Sequence, residues 1–566
     1  MKRNLNELED TEFDIVIIGG GIFGACAAWD ATLRGLRVAL IERGDFCGGT
    51  SANSFKMVHG GVRYLQHADV YRLRYSCRER SALLRIAPHL VQPLPIVIPT
   101  YGHGASGKAF LGAGLYLYDL LTLGRNRGIS DDERKIPITQ FLSRREILDL
   151  FPDLKQDGLT GGAMFSDGQM YNPTRLVLAF IQSAVASGAK AVNYLEAVGL
   201  TRSGDRVTGV EARDILTGDR LSIRAKVVVN TAGPWAEHFV SDAAKLPMKS
   251  KGSYSRDACF VVNRRLPGKQ AVAVLGRTRD PDAVLSRPAR HLFLVPWRNF
   301  TLVGVWHVVY ERHPDEVDVP AQDLESFIDE INWAYPSLNL SLEDVRMWNA
   351  GLVPFGINEP GAVNLSYGKR SNLIDHRKTH GVDGLVTLIG IRYTTARADS
   401  AKAIDIAVGK LGARAPRRDS SRIPIMGGDI PDFEDFVRTI TQKQRLGIND
   451  SVMRALAHNY GTGMDQVLAY AEKDAGLAQT LGDTTVIKAE VINAIQHEMA
   501  ITLADIVFRR TDLATGGNPG DHTMRECAEL AARELGWTNA QKEIQLQEVY
   551  KRFPSFVADA AESISA

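Results

Sequence analysis

Residues 13–43 read FDIVIIGGGIFGACAAWDATLRGLRVALIER, and this stretch decides the fold of the N-terminal region. The apolar run Ile15 to Ile18 has the length and β-branched content of a buried strand. A glycine turn follows, then a helical stretch, then a second apolar strand that ends at Glu42. The glycines fall as Gly19-x-Gly21-x-x-Gly24, and each has a physical task in gripping a dinucleotide. Gly19 permits the tight turn, Gly21 lets a pyrophosphate approach the backbone, and Gly24 lets the helix close on the strand. The helix start offers free N–H groups and the positive end of its dipole to phosphate oxygens. Glu42 is positioned to accept hydrogen bonds from an adenosine ribose and to repel a 2′-phosphate. The stretch predicts a Rossmann-like α/β unit that holds an adenine dinucleotide.

The rest of the chain sets bounds on what this unit serves. With 566 residues, two or three domains are expected, and 45% hydrophobic content supplies their cores. A net charge of +1 gives no bulk field for nucleic acid. The five cysteines (Cys26, Cys47, Cys77, Cys259 and Cys527) are scattered, without a CxxC pair, which argues against a disulfide framework, a zinc site or an iron–sulfur cluster. The N-terminal MKRNLNELEDTEFD lacks the apolar segment of a signal peptide, and no apolar run is long enough to span a bilayer, so a cytoplasmic address is expected. Lys108 to Gly124, KAFLGAGLYLYDLLTLG, is nearly all apolar and is followed by Arg125 and Arg127. It reads as a buried helix or helical hairpin, with a membrane-interface helix as the alternative.

Further along, residues 69–86 read as a basic helix whose Arg72, Arg74, Arg78, Arg80 and Arg85 are expected on its solvent side. A helix beginning at Asn172-Pro173, a hairpin over 192–214 and a short strand over 226–230 follow. Strands over 258–262, 292–295 and 301–309 alternate as an antiparallel sheet with one face toward a pocket. A helix over 322–335, a buried strand over 385–390 and a helix over 395–411 come next, and that strand is expected to rejoin the first sheet. From Pro431 the pattern is helical. The fold class is therefore α/β: a discontinuous, Rossmann-like dinucleotide-binding domain within residues 1–415, an antiparallel substrate sheet mainly over about 85–165 and 245–375, and an all-helical domain over 425–566.

A GxGxxG turn does not separate NAD from FAD, but the residues after Glu42 do. The loop TSANSFKMVHGG (50–61) sets hydroxyls, backbone N–H groups and a lysine along the expected ligand, through Thr50, Ser51, Ser54, Lys56, His59 and Gly60. Thr231-Ala232-Gly233 at a strand end and Gly390-Ile391-Arg392-Tyr393-Thr394 before a helix supply further contact lines, with Gly233, Gly390 and Thr394 as the contact residues. Val198 of the 192–214 hairpin is an additional candidate. A ligand held along such a length is FAD.

The combination GGGIFG, TSANSFKMVHGGVRYL, NTAGPW and IGIRYTTAR resembles FAD-dependent glycerol-3-phosphate dehydrogenases, over about residues 13–411. ITLADIVFRRTDL (501–513) resembles their C-terminal domain more weakly. The resemblance implies oxidation of sn-glycerol 3-phosphate to dihydroxyacetone phosphate, with FAD taking the hydride. It also implies a small anionic substrate, a quinone or other electron acceptor, and peripheral contact at the inner face of the cytoplasmic membrane. It is compatible with a homodimer and involves no nucleic acid.

A phosphorylated polyol needs a fixed cation, and arginine's planar fork suits a phosphate best. Arg63, Arg370 and Arg392 are the substrate-binding candidates, with Tyr64 beside Arg63 as hydrogen-bond partner. Hydride transfer from an alcohol also needs a proton acceptor. His59 and His307 are the candidates, with Tyr254 and Tyr64 as partners. Several positions depart from the family pattern. Val353 in GLVP stands where an arginine is expected, Arg392 where a lysine is, Tyr254 where a histidine is, and Trp306-His307 where a threonine–aspartate pair is. The departures fall in the substrate half and leave the cofactor half intact. They keep two other readings open: an FAD-dependent oxidase of amines or 2-hydroxy acids, and a non-catalytic flavoprotein.

Overall fold

The computed structural model describes residues 1–102, 107–247, 254–277, 291–354, 370–412, 415–416, 418–443 and 446–554, with all their side chains except those of residues 63, 66, 67 and 108–110. The lysine–glycine–serine turn before Tyr254 and most of the stretch before Arg370 lie outside the described residues, as does the side chain of Arg63.

An eight-stranded sheet forms around Phe13–Ile18, which runs parallel to Val38–Ile41 on one side and to Arg220–Asn230 on the other. Leu385–Ile389 joins parallel to Arg220–Asn230, so the late strand does return to the first sheet across most of the chain. Ile15, Val16 and Ile17 are fully buried, because a central parallel strand is covered on both faces and needs a continuous apolar run rather than alternation. The helix Ile22–Leu33 packs against both Pro173–Ala186 and Ala396–Leu411 over one face. Asn172 caps the second of them, its side chain accepting from the N–H groups of Thr174 and Arg175.

The second sheet has nine strands, with Val345–Pro354, Tyr254–Val262, Phe300–Tyr310 and His291–Trp297 as antiparallel neighbours. It is not purely antiparallel, since Ala271–Leu275 runs parallel to Val91–Tyr101. Alternation along Tyr254–Val262 sends Ala258, Phe260 and Val262 into a core with Leu324, Phe327 and Ile331 of the helix Ala321–Ala334. Asp257 and Cys259 take the opposite face, which turns toward the first sheet.

Among the described residues, six helices of eight or more residues make up the C-terminal region, from Phe433–Lys443 to Asn539–Tyr550, around two apolar clusters of their own. Buried charges dock this region. Arg509 and Arg510 both reach the Asp45 carboxylate (2.6 Å each), and Arg175 pairs with Glu498 at 2.6 Å.

Two expectations change. The arginines of the Val70–Ile86 helix are not all on its solvent side: Arg80 is fully buried and Arg72 lines the central cavity. The Lys108–Leu121 helix is buried along one face only. It places Leu111, Leu115 and Tyr118 inside but leaves Tyr116, Leu117 and Leu120 exposed, with Leu123 beyond it 77% exposed.

Candidate active site

A cavity of about 1580 Å³ runs between the two sheets, from the Gly19 turn to the second sheet's open face. At its first end the fingerprint glycines do what their spacing requires. Gly19 has φ +101°, and a Cβ there would lie 2.8 Å from the Thr231 carbonyl oxygen. A Cβ on Gly24 would overlap the Gly19 carbonyl, so this glycine serves helix packing and is not itself a cavity residue. Gly21 opens into the cavity, with only the Ser51 hydroxyl near its Cβ position. Not every N–H of the helix start is free, because Ile22 donates to Ser51 Oγ at 3.0 Å.

Glu42 closes the Val38–Ile41 strand and lines the cavity. Burial pushes its carboxyl up from the ordinary range, opposed by the N–H groups of Gly44 (2.9 Å) and Gly20 (2.7 Å). Gly233, at φ +59°, has nothing within 4 Å of a Cβ position. Thr50 is tied to the second sheet by reciprocal contacts with the Leu352 backbone (3.2 and 3.3 Å). Ser54, Lys56, His59, Gly390 and Thr394 also line the cavity. Gly60 and Val198 do not: Gly60 makes room for the Arg80 guanidinium, and in the hairpin it is Tyr194 to Ala197 that line the cavity.

Toward the second sheet the loop ends in a polar chain that begins at His59. The His59 backbone N–H donates to Thr394 Oγ1 (3.0 Å), and its Nδ1 faces Asp167 Oδ2 at 3.3 Å. Asp167 Oδ1 accepts from the Gly60 N–H and from Arg80 Nη1, both at 2.6 Å. Burial would raise the Asp167 carboxyl, but the His59 hydrogen bond and the Arg80 charge hold it below the usual carboxylate range. An ionised carboxylate only accepts, so the ring proton of a neutral His59 sits on Nδ1 and Nε2 keeps its lone pair.

In the same cavity the Tyr64 ring has two guanidiniums over it, Arg72 at 4.7 Å and Arg392 at 4.9 Å from its centroid, and all three line the wall. Asp69 holds Arg72 in place (Nε to Oδ2, 2.9 Å), while burial lowers the Arg392 pKa. Arg370 is exposed over the Tyr71 ring, outside the cavity wall.

The second sheet contributes His307, paired through Nδ1 with Asp257 (2.9 Å), which also accepts from the Ser255 hydroxyl. The positions that depart from the family pattern divide here. Val353 and His307 line the cavity, whereas Trp306 stacks on Phe327 in the core and Tyr254 is buried beside Tyr310 and Leu352. Sequence reading missed Asp167, Arg80, Arg72, Asp257 and Asn349, whose Nδ2 is buried in this wall without a partner among the described residues. Asp167 had a detectable signal, as a carboxylate inside the otherwise uncharged Leu159–Met170 strand.

The chain matches the model of the FAD dependent oxidoreductase family over residues 14–391, and that of the C-terminal domain of alpha-glycerophosphate oxidase over 419–542. It is 31% identical to a glycerol-3-phosphate dehydrogenase of Synechocystis sp., covering 97% of this chain and 98% of that one. It is also 31% identical to the human mitochondrial glycerol-3-phosphate dehydrogenase, covering 97% of this chain and 74% of that one. The solved structure of the glycerol-3-phosphate dehydrogenase from Bacillus halodurans complexed with FAD superposes with a TM-score of 0.76 at 25% identity, covering 97% and 96% of the two chains. The cofactor is FAD, and the residues present fit it. The uncrowded Gly21 and Gly233 give backbone access, Glu42 suits a ribose, and the cavity continues from there to His59.

Proposed function

Since the chain belongs to the FAD-dependent glycerol-3-phosphate dehydrogenase family, we propose that it oxidises sn-glycerol 3-phosphate, or a closely related anionic polyol, at the secondary alcohol to give dihydroxyacetone phosphate. Bound FAD supplies the acceptor for the hydride. His59 Nε2 takes the hydroxyl proton, and Asp167 fixes the ring tautomer and stabilises the imidazolium that forms. Arg392 and Arg72, both packed on the Tyr64 ring, bind the phosphate, with Arg63 next to Tyr64 in the sequence. The observation that carries this reading is the presence, in one cavity, of an oriented histidine and paired arginines. A simple amine offers such a cation pair no anion, whereas the carboxylate of a 2-hydroxy acid or an amino acid does, so flavin reduction by each substrate is what separates them.

Electrons then pass to a membrane quinone. Supporting this is the apolar strip of Tyr116, Leu117, Leu120, Leu123 and Ile138, exposed beside the exposed cations Arg74 and Arg127. No single helix among the described residues is long and apolar enough to cross a bilayer, so the proposed contact is peripheral, at the cytoplasmic face. Anaerobic mixing tests the substrate reading. Glycerol 3-phosphate should bleach the flavin band, while glycerol, 2-hydroxy acids and amino acids should not. Bleaching by an amino acid or 2-hydroxy acid, and not by glycerol 3-phosphate, would replace the reading with the oxidase alternative; bleaching by none would favour a non-catalytic flavoprotein.

A further inference from the structure

Lys56 is an ammonium in a place that ordinarily rejects one. It is 2% exposed, and among the described residues no carboxylate pairs with it. Its Nζ donates to the Ser54 carbonyl at 3.3 Å and lies 4.9 Å from the centroid of the Trp297 ring. The neighbouring groups offer no compensating charge. Cys259 is a thiol whose pKa burial pushes up to about 11, and Arg298 is a second cation, already paired with Asp512 at 2.9 Å. Burial pulls the Lys56 ammonium down to about 8, so it stays mostly charged at neutral pH.

The backbone fixes this position. Lys56 has φ +57°, and its carbonyl accepts from the Met170 N–H at 2.8 Å, against the second sheet. That places it three residues before His59 and on the substrate side of the loop, away from the Ile22 helix start where the pyrophosphate is expected. An unpaired buried cation is costly, and a cavity wall retains one when an anion comes to face it.

We propose that Lys56 is the buried counter-cation for the charge the flavin ring acquires on reduction. A hydride delivers two electrons and one proton to the oxidised, neutral ring, which thereby gains one net negative charge. Lys56 stabilises that charge, raises the reduction potential and draws the hydride transfer forward. It is a positioning charge for the cofactor, not an acid or base for the substrate.

The test uses FAD-loaded Lys56→Met, which keeps an unbranched stem without the charge, and Lys56→Arg, which keeps the charge. Sulfite, which adds reversibly to an oxidised flavin and leaves negative charge on the ring, serves as the probe. Lys56→Met should retain its FAD, bind sulfite at least tenfold more weakly than the parent, and have a lower midpoint potential. A tenfold change in the two-electron equilibrium corresponds to about 30 mV. Lys56→Arg should keep sulfite affinity within a fewfold of the parent. Unchanged sulfite affinity and potential in Lys56→Met would overturn the proposal. Loss of FAD from Lys56→Met and Lys56→Gln, with retention in Lys56→Arg, would also overturn it, because the charge would then serve the pyrophosphate.

Discussion

Asp167→Asn separates orientation from mere proximity at His59. The Asp167 Oδ1 partners, Gly60 N–H and Arg80 Nη1, are both donors, so the amide oxygen of an asparagine takes that place. Its NH2 then faces His59 Nδ1 and donates to it, which moves the ring proton to Nε2 and removes the lone pair the reaction needs. Loss of an oriented base is worth about 10²–10⁴ in rate, or roughly 3–5 kcal/mol of barrier. The substitution also leaves the Arg80 charge buried without its carboxylate. Breaking such a pair costs about 3–5 kcal/mol, and the lower end is expected because Arg80 keeps the Tyr118 hydroxyl (2.9 Å) and the Ser166 carbonyl (3.1 Å) as acceptors. The assay is stopped-flow flavin reduction by saturating glycerol 3-phosphate without oxygen, on protein of verified FAD content and melting temperature. His59→Asn should lose a similar factor, and the double variant should be little slower than His59→Asn alone, since both changes remove one device. An Asp167→Asn enzyme within threefold of the parent, or a double variant slowed by the product of the two factors, refutes the reasoning.

Arg72→Ala and Arg392→Ala should each raise KM for glycerol 3-phosphate by about ten- to a hundredfold, with FAD content unchanged, because each removes a charge-assisted hydrogen-bond donor from the substrate end; steady-state kinetics checks this. His89 and His458 meet at the seam between the first sheet's region and the helical tail, where the ring N–H of His458 Nδ1 donates to the His89 carbonyl at 2.7 Å, and burial pushes both imidazoles down to about 3. Their folded pKa values lie below the ordinary 6.5, so the stability they allow is whole above that pH and declines as pH falls from there toward 3. Thermal melting from pH 8 to 5 should show a loss of Tm beginning below about pH 6.5, reduced in His458→Phe. Leu120→Glu with Leu123→Glu should lower binding to anionic vesicles at least fivefold in a sedimentation assay while leaving turnover with a soluble dye intact, because the pair removes apolar surface that faces outward.

Local signals carried most of the cofactor half. Gly19 and Gly24 are required by contacts between neighbouring turns and strands, and such contacts leave a fixed spacing in the sequence. The first sheet was legible for a similar reason, as a central parallel strand must be apolar at consecutive positions. The substrate half depends instead on cross-strand register and on chain-distant partners. Asp257 meets His307 only because the strands Tyr254–Val262 and Phe300–Tyr310 pair in that register, and no local spacing encodes it. Arg80 read as solvent-facing because a basic helix ordinarily is, yet it lies beneath Gly60 and Tyr118, and tertiary context overrides the pattern. The same limit explains Tyr254 and Trp306, whose strand positions turn them into the core rather than toward a ligand.

The helical tail is joined to the cofactor loop by charge as well as by packing. Asp45, three residues after Glu42, is buried, yet Arg510 and Arg509 hold its carboxyl below the ordinary range. Asn193 donates to the same carboxylate at 3.0 Å and to the Met499 carbonyl at 2.9 Å, so one cluster fixes the loop after Glu42, the start of the 195–214 hairpin and the tail. Phe508 and Arg509 also line the cavity. A loop that follows the Val38–Ile41 strand and is clamped by another region is costly to move, since separating the two would leave the buried Asp45 carboxylate and the Arg510 guanidinium without an ion-pair partner, while Arg509 would keep only Asp505. The tail therefore braces the cavity wall: by holding Asp45 it anchors one end of the 43–61 segment, which lines the cavity and carries Lys56 and His59 toward its other end.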